Sequence, residues 1–196
     1  MVVFGNPRLN RGFSLIELLV VIAILGILMK IAWLPFREMM ANQRLRSVTS
    51  DLVADLALAR VEAIKRSSRV GVARTTAAWI GGWVVFDDVD RDGTFDPETD
   101  GDGLCEAGEE CVLASRPALD ATVNVCSADA AFDVLTFGAD GAVRAYNAGA
   151  LLDPIPPRLT ITVSSTFTSA GVPARQLEFS PTGRVAVVSA GVAACP

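Results

Sequence analysis

The sequence predicts an α+β protein: a long N-terminal helix, transmembrane in its first part and amphipathic in its second, packed on an antiparallel β-rich globular head. Three observations predict it. The 22 residues from Phe13 to Leu34 are apolar or small except for Glu17 and Lys30. Beyond them, Leu45, Val48, Leu52, Leu56, Ala59 and Ala63 recur at steps of three and four, the period of a helix with one apolar face. From Arg69 onward, short runs rich in β-branched and aromatic residues alternate with Gly, Pro and Asp turn signals.

The first element is long enough to cross a bilayer, since 22 helical residues span about 33 Å. Arg8 and Arg11 precede it with no acid between them, which keeps the N-terminus cytoplasmic and sends the rest outward. No small-residue cleavage site follows the apolar run; the chain continues as Pro35-Phe36-Arg37-Glu38. The segment is therefore expected to remain in the mature protein. Glu17 is the odd residue, because an ionisable group inside a membrane costs at least about 2.5 kcal/mol. It reads either as an acid tolerated near the interface or as a functional group that needs a positive partner. Pro35 lacks a backbone donor and either ends the membrane helix or kinks one that continues.

In the second element Arg44, Arg46, Asp51, Asp55, Arg60 and Glu62 fall mainly off the apolar stripe. Glu62 and Arg66 are spaced to pair, and the helix is expected to end near Ser67-Ser68. Candidate strands follow at Arg69–Thr76, Trp79–Phe86, Cys111–Ser115, Thr122–Cys126, Val134–Phe137, Ala142–Tyr146, Arg158–Phe167, Arg175–Phe179 and Arg184–Val188. Trp79 and Trp83 are read as core packing.

The formal charge of −5 is unevenly spread. Asp87 to Glu110 holds eleven acids and one base, a local net of −10, which leaves +5 for the remainder. An acidic loop on a mildly basic body argues against a general nucleic-acid binder. Within it, Asp88, Asp90 and Asp92 alternate, Gly93 stands sixth and Asp96 ninth, a spacing that can turn carboxylates around a hard cation. Thr99 occupies the twelfth position, where a hand-type loop carries a bidentate Glu. A solvated acidic loop and a structural calcium site both remain open; no cofactor is required. The four cysteines, Cys105, Cys111, Cys126 and Cys195, form no CxxC pair, and there is no histidine to complete a metal site. In an exported segment an even count favours two disulfides. Of the three pairings, Cys105–Cys111 as a loop staple with Cys126–Cys195 as a clip on the C-terminus is preferred. Without histidine, a G-x-S-x-G elbow, a P-loop or a Rossmann glycine pattern, the chain is not read as an enzyme.

Gly12-Phe13-Ser14-Leu15-Ile16-Glu17 resembles the processing site of type IV pilins and type II secretion pseudopilins. The resemblance implies that a prepilin peptidase cuts between Gly12 and Phe13 and methylates Phe13. It also implies that Glu17 meets the N-terminal amine of a neighbouring subunit in assembly, a pairing that makes two buried charges tolerable. The helix end Leu52–Arg60 with Ala63–Arg66, the run Trp79–Asp88 with Asp92-Gly93, Phe137-Gly138 with Gly141, and Ser180–Arg184 with Cys195 resemble the GspH/FimT subgroup. The implied organisation is a cytoplasmic leader (1–12), a transmembrane helix (13–34), its amphipathic continuation (35–67) and a periplasmic pilin-like head (68–196) with an acidic loop (87–110). The expected function is a structural minor pilin or pseudopilin of a type IV pilus or type II secretion pseudopilus. It would be inserted in the inner membrane until it enters a filament, with other pilins, the peptidase and membrane lipid as partners. The alternative is a DNA-binding minor pilin for natural transformation. Gly183-Arg184-Val185-Ala186 keeps Arg184 of that group's Gly-Arg-x-Arg stretch but has Ala186 in place of the second arginine, which argues against DNA.

Overall fold

The computed structural model describes residues 13–96, 109–127, 132–153 and 159–191. Helix α1 runs from Leu15 to Arg66. Ser14 caps it: its Oγ accepts the Glu17 amide at 3.2 Å, and its carbonyl accepts the Leu18 amide. Pro35 does not end the helix, which continues through it. The chain divides into two compact units between Met39 and Met40.

In the first unit the helical side chains are solvent-exposed wherever they are large and apolar, from Leu15 to Met39. One 18-residue window reaches a mean hydropathy of 2.6, with none of it buried inside the protein. By length and composition this stretch can cross a membrane.

In the second unit α1 buries Leu45, Leu52, Leu56, Ala59 and Ala63, the apolar stripe read from the sequence. Two antiparallel sheets complete the unit. The first contains β1 (Arg69–Arg74), β2 (Trp83–Asp88), β3 (Val112–Arg116), β5 (Val134–Phe137), β6 (Val143–Asn147) and β7 (Ala150–Leu151), in the order β3-β2-β1-β5-β6-β7. The second contains β4 (Val123–Ser127), β8 (Leu159–Ser165), β9 (Ala174–Phe179) and β10 (Val185–Ala190), in the order β10-β9-β8-β4. Val72, Trp83, Val85, Leu135 and Phe137 of the first sheet share one apolar core with the α1 stripe and with Val125, Ile161, Val163 and Leu177 of the second. This is the antiparallel α+β arrangement expected of the head. The first sheet is covered on its other face too, where Ala73, Val84, Phe86, Val134 and Tyr146 form a small second cluster against Phe95.

A hydrogen-bonded lock joins helix and sheet. Asp55, only 4% exposed, accepts the Trp83 indole N–H at 2.9 Å and the Arg116 Nε–H at 2.8 Å. Trp83 is therefore more than the core packing assigned to it. At the end of α1, Arg66 donates to Glu62 at 2.8 Å, the expected pair, and reaches Asp87 at 3.1 Å.

One strand assignment needs correction. Trp79–Gly81 is a 3-10 turn, and β2 starts only at Trp83. Gly82 between them has φ +97, and a Cβ there would lie 2.2 Å from the Arg116 carbonyl oxygen, so the chain cannot run on as a strand. The short β7 was not expected from the sequence.

Candidate functional site

Two places carry the residues singled out by sequence: the start of α1 and the acidic loop. Gly12 lies outside the described residues. Phe13 precedes the helix and is open to solvent or lipid. Glu17 sits in the first turn, where the positive end of the helix dipole favours an acid. Ser14 and Glu17 stand at the spacing of a capping box, a local signal that the sequence reading passed over. Among the described residues no basic side chain pairs with Glu17. Any counter-charge for it must come from elsewhere.

The acidic loop leaves the end of β2. Asp88, 1% exposed, is the last residue of that strand. The chain then turns with Arg91 at φ +67 and Gly93 at φ +76. A Cβ on Gly93 would strike the Tyr146 ring, so the turn rests directly on the outer face of the sheet. Phe95 anchors the next step, its ring 5.1 Å from that of Phe86. Asp90 and Asp92 shape the turn by accepting the amides of Asp92 and Thr94 at 3.1 and 2.7 Å.

Carboxylate oxygens of Asp88, Asp90, Asp92 and Glu110 all lie within 4.8 Å of one another. Three of these were expected. The fourth was not, and Asp96 does not take its place: the Asp96 backbone amide donates to Glu110 Oε2 at 2.7 Å while its own carboxylate stays outside the cluster. Glu110 was missed because it stands 22 positions after Asp88, far beyond the reach of a linear loop motif. Antiparallel pairing of β2 with β3 brings it back: Phe86 pairs with Val112, and the Asp87 amide donates to the Cys111 carbonyl. That register was the signal that could have found it.

The cluster has little counter-charge. Arg69, the β1 register partner of Asp88, approaches it at 3.5 Å. The same Nη1 also donates to the Arg91 carbonyl and the Tyr146 hydroxyl. Burial pushes Asp88 above the ordinary range, opposed by Arg69 and the Gly93 amide and reinforced by Asp90 and Asp92. Burial likewise pushes Glu110 up to about 7, against the Asp96 amide, with Asp88, Asp90 and Asp96 adding repulsion.

Cys111 and Cys126 are both in disulfides. Cys105 and Cys195, the partners assigned to them from sequence, lie outside the described residues. Arg184 is exposed at the start of β10, just past the β9–β10 turn, its amide donating to Ser180 Oγ. Arg175 lies opposite Ser189, near the other end of that hairpin. The two arginines are roughly 16 Å apart along the strands at about 3.3 Å per residue, so they do not converge.

The model of the family described as type II transport protein GspH matches residues 48–194. The model of the prokaryotic N-terminal methylation motif matches residues 7–31. The pilin-like protein PilA1 of Thermus thermophilus is 37% identical over 91 residues, 45% of this chain and 54% of that protein. The chain thus spans about half the length of the curated relative it matches. Among solved structures, the type IV minor pilin FimU of Pseudomonas aeruginosa PAO1 has a TM-score of 0.51 at 20% identity, covering 74% of this chain and 89% of that one. That likeness is one of fold.

Proposed function

The chain belongs to the GspH family of pseudopilins and minor pilins, and we propose that it works as a structural subunit of a type IV pilus or type II secretion pseudopilus. One observation carries the reading: a helix segment with every large apolar side chain outward, interrupted near its start by a single acid that finds no counter-charge among the described residues. Such a surface is stable only in lipid or among other apolar helices. A lone carboxylate in either setting needs a cation beside it.

A prepilin peptidase supplies that cation when it cuts between Gly12 and Phe13. The new amine of one subunit, methylated at Phe13, then meets Glu17 of a neighbour. The same helix serves first as the inner-membrane anchor, with the head in the periplasm, and then as the core of a filament. Its partners are other pilins, and the chain is a substrate of an enzyme rather than an enzyme itself. The methylation motif over residues 7–31 supports the processing step.

The test is made on the full chain expressed in a bacterium with a pilin-type assembly system. Intact-mass measurement of the membrane-extracted protein is expected to show an N-terminus at Phe13 with one added methyl group. Glu17→Ala is expected to be processed and to stay in the membrane, yet to be largely lost from sheared filaments. Arg8 and Arg11 still attached, or undiminished incorporation of Glu17→Ala, would overturn the reading.

A further inference from the structure

We propose that Asp88, Asp90, Asp92 and Glu110 form a calcium site that clamps the two ends of the acidic loop to the outer face of the first sheet. The inference concerns the head alone and does not depend on the filament reading.

Geometry comes first. Ligand oxygens on opposite sides of Ca²⁺ lie about 4.6–5.2 Å apart, and around Mg²⁺ about 4.1 Å. Four carboxylates with one oxygen each, all within 4.8 Å of one another, are close enough to surround a cation of this kind together. The donor set is all oxygen, as a hard cation requires.

The buried members supply an independent argument. Glu110 is 7% exposed, and its Oε1 has no hydrogen-bond partner. The Asp88 side chain is fully buried and is met only by Arg69, 3.5 Å away, and the nearby Gly93 amide, neither in good hydrogen-bond geometry. Buried carboxylate oxygens are ordinarily satisfied, and leaving them bare is expensive. Glu110 Oε2 already holds the Asp96 amide, so Oε1 is the oxygen left bare, and both buried carboxylates place an oxygen in the cluster. A solvated acidic loop, the competing account, explains Asp90 and Asp92, which are exposed, but not these two.

Charge gives the third argument. Four carboxylates against the one guanidinium of Arg69 leave −3 at the cluster when all are ionised; a divalent cation brings this to −1. Asp88 ends β2, and Glu110 lies just before β3. An ion held by both therefore closes the base of the loop that separates these paired strands, whatever path the chain takes between Asp96 and Glu109. The three aspartates alone would hold only one end. Glu110 makes the site a clamp.

The experiment uses the full-length chain in detergent, with thermal unfolding and calorimetric titration in chelator, in 1 mM Ca²⁺ and in 1 mM Mg²⁺. One Ca²⁺ per chain is expected, with an unfolding midpoint about 5 °C or more above that in chelator if the ion is present at 100 times Kd. Glu110→Gln and Asp92→Asn are each expected to lower Ca²⁺ affinity at least tenfold and to remove most of the shift. Asp92 is exposed, so its variant folds even if loss of Glu110 disturbs the loop. No Ca²⁺ binding at 1 mM, an equal shift with Mg²⁺, or an unchanged Ca²⁺ response in Asp92→Asn would overturn the proposal.

Discussion

Asp55 stands close to the centre of the contact between helix and sheet, where an apolar side chain would be the ordinary choice. Its carboxylate is tolerated because two donors from different strands reach it, the Trp83 indole from β2 and the Arg116 guanidinium from β3. Asp55 and the Trp83 indole are buried while the Arg116 side chain is 41% exposed, so the main cost of removing the carboxylate falls on the indole N–H left without an acceptor. Asp55→Ala leaves the Trp83 N–H without an acceptor and strips Arg116 of its nearest partner, for an expected loss of about 3 kcal/mol. Trp83→Phe keeps most of the apolar surface and the Arg116 bond, so about 1–2 kcal/mol is expected. Denaturant unfolding of the full chain in detergent measures both. Equal losses in the two variants would show that the Trp83–Asp55 hydrogen bond, which both remove, dominates and that the Arg116 contact adds little. In the sequence Asp55 is one more polar residue off the stripe, because nothing in a linear pattern reveals which strand will cross above it.

Among the elements, α1 and most strands were legible because their periods are strong and their flanks punctuated. Apolar steps of three and four placed the buried face of α1 on the residues that are in fact buried. Glycine, proline and aspartate marked the ends of β5, β6 and β9 to within about two residues. Trp79-Ile80-Gly81-Gly82 was misread because aromatic and β-branched residues favour strands, while the feature that stops the strand is a contact from elsewhere. The Arg116 carbonyl and Pro117 backbone occupy the space a side chain at Gly82 would need. Gly82→Ala must therefore adopt a disfavoured φ and displace backbone at once. A loss of about 2 kcal/mol or more is expected, read as a lowered unfolding midpoint with secondary structure retained. The candidate cation site was half legible for a related reason. Asp88, Asp90 and Asp92 share a local motif, whereas Glu110 joins them through strand register, which a motif search does not see.

The molecule as a whole answers to two solvents. Residues 13–39 expose apolar side chains that only lipid or other helices can cover, while the head buries its own core and carries the cysteines. Cys111 flanks β3 and Cys126 lies within β4, and both are in disulfides; the pairing preferred from the sequence joins Cys105 to Cys111 and Cys126 to Cys195. On that pairing the two bridges would do unequal work. The first closes a loop of roughly seven residues and the second one of roughly seventy, which chain-entropy arguments translate into about 2 and about 4 kcal/mol. Replacing Cys126 and Cys195 together with Ala should lower stability more than replacing Cys105 and Cys111 together. The local bridge spans part of the segment that the proposed cation closes, so its loss is also expected to weaken Ca²⁺ affinity while loss of the C-terminal clip leaves that affinity unchanged. Peptide mapping without reductant tests the pairing, and Ca²⁺ titration of the two double variants separates the roles. Equal effects of both replacements on Ca²⁺ affinity would mean that the loop is not held by a staple of its own.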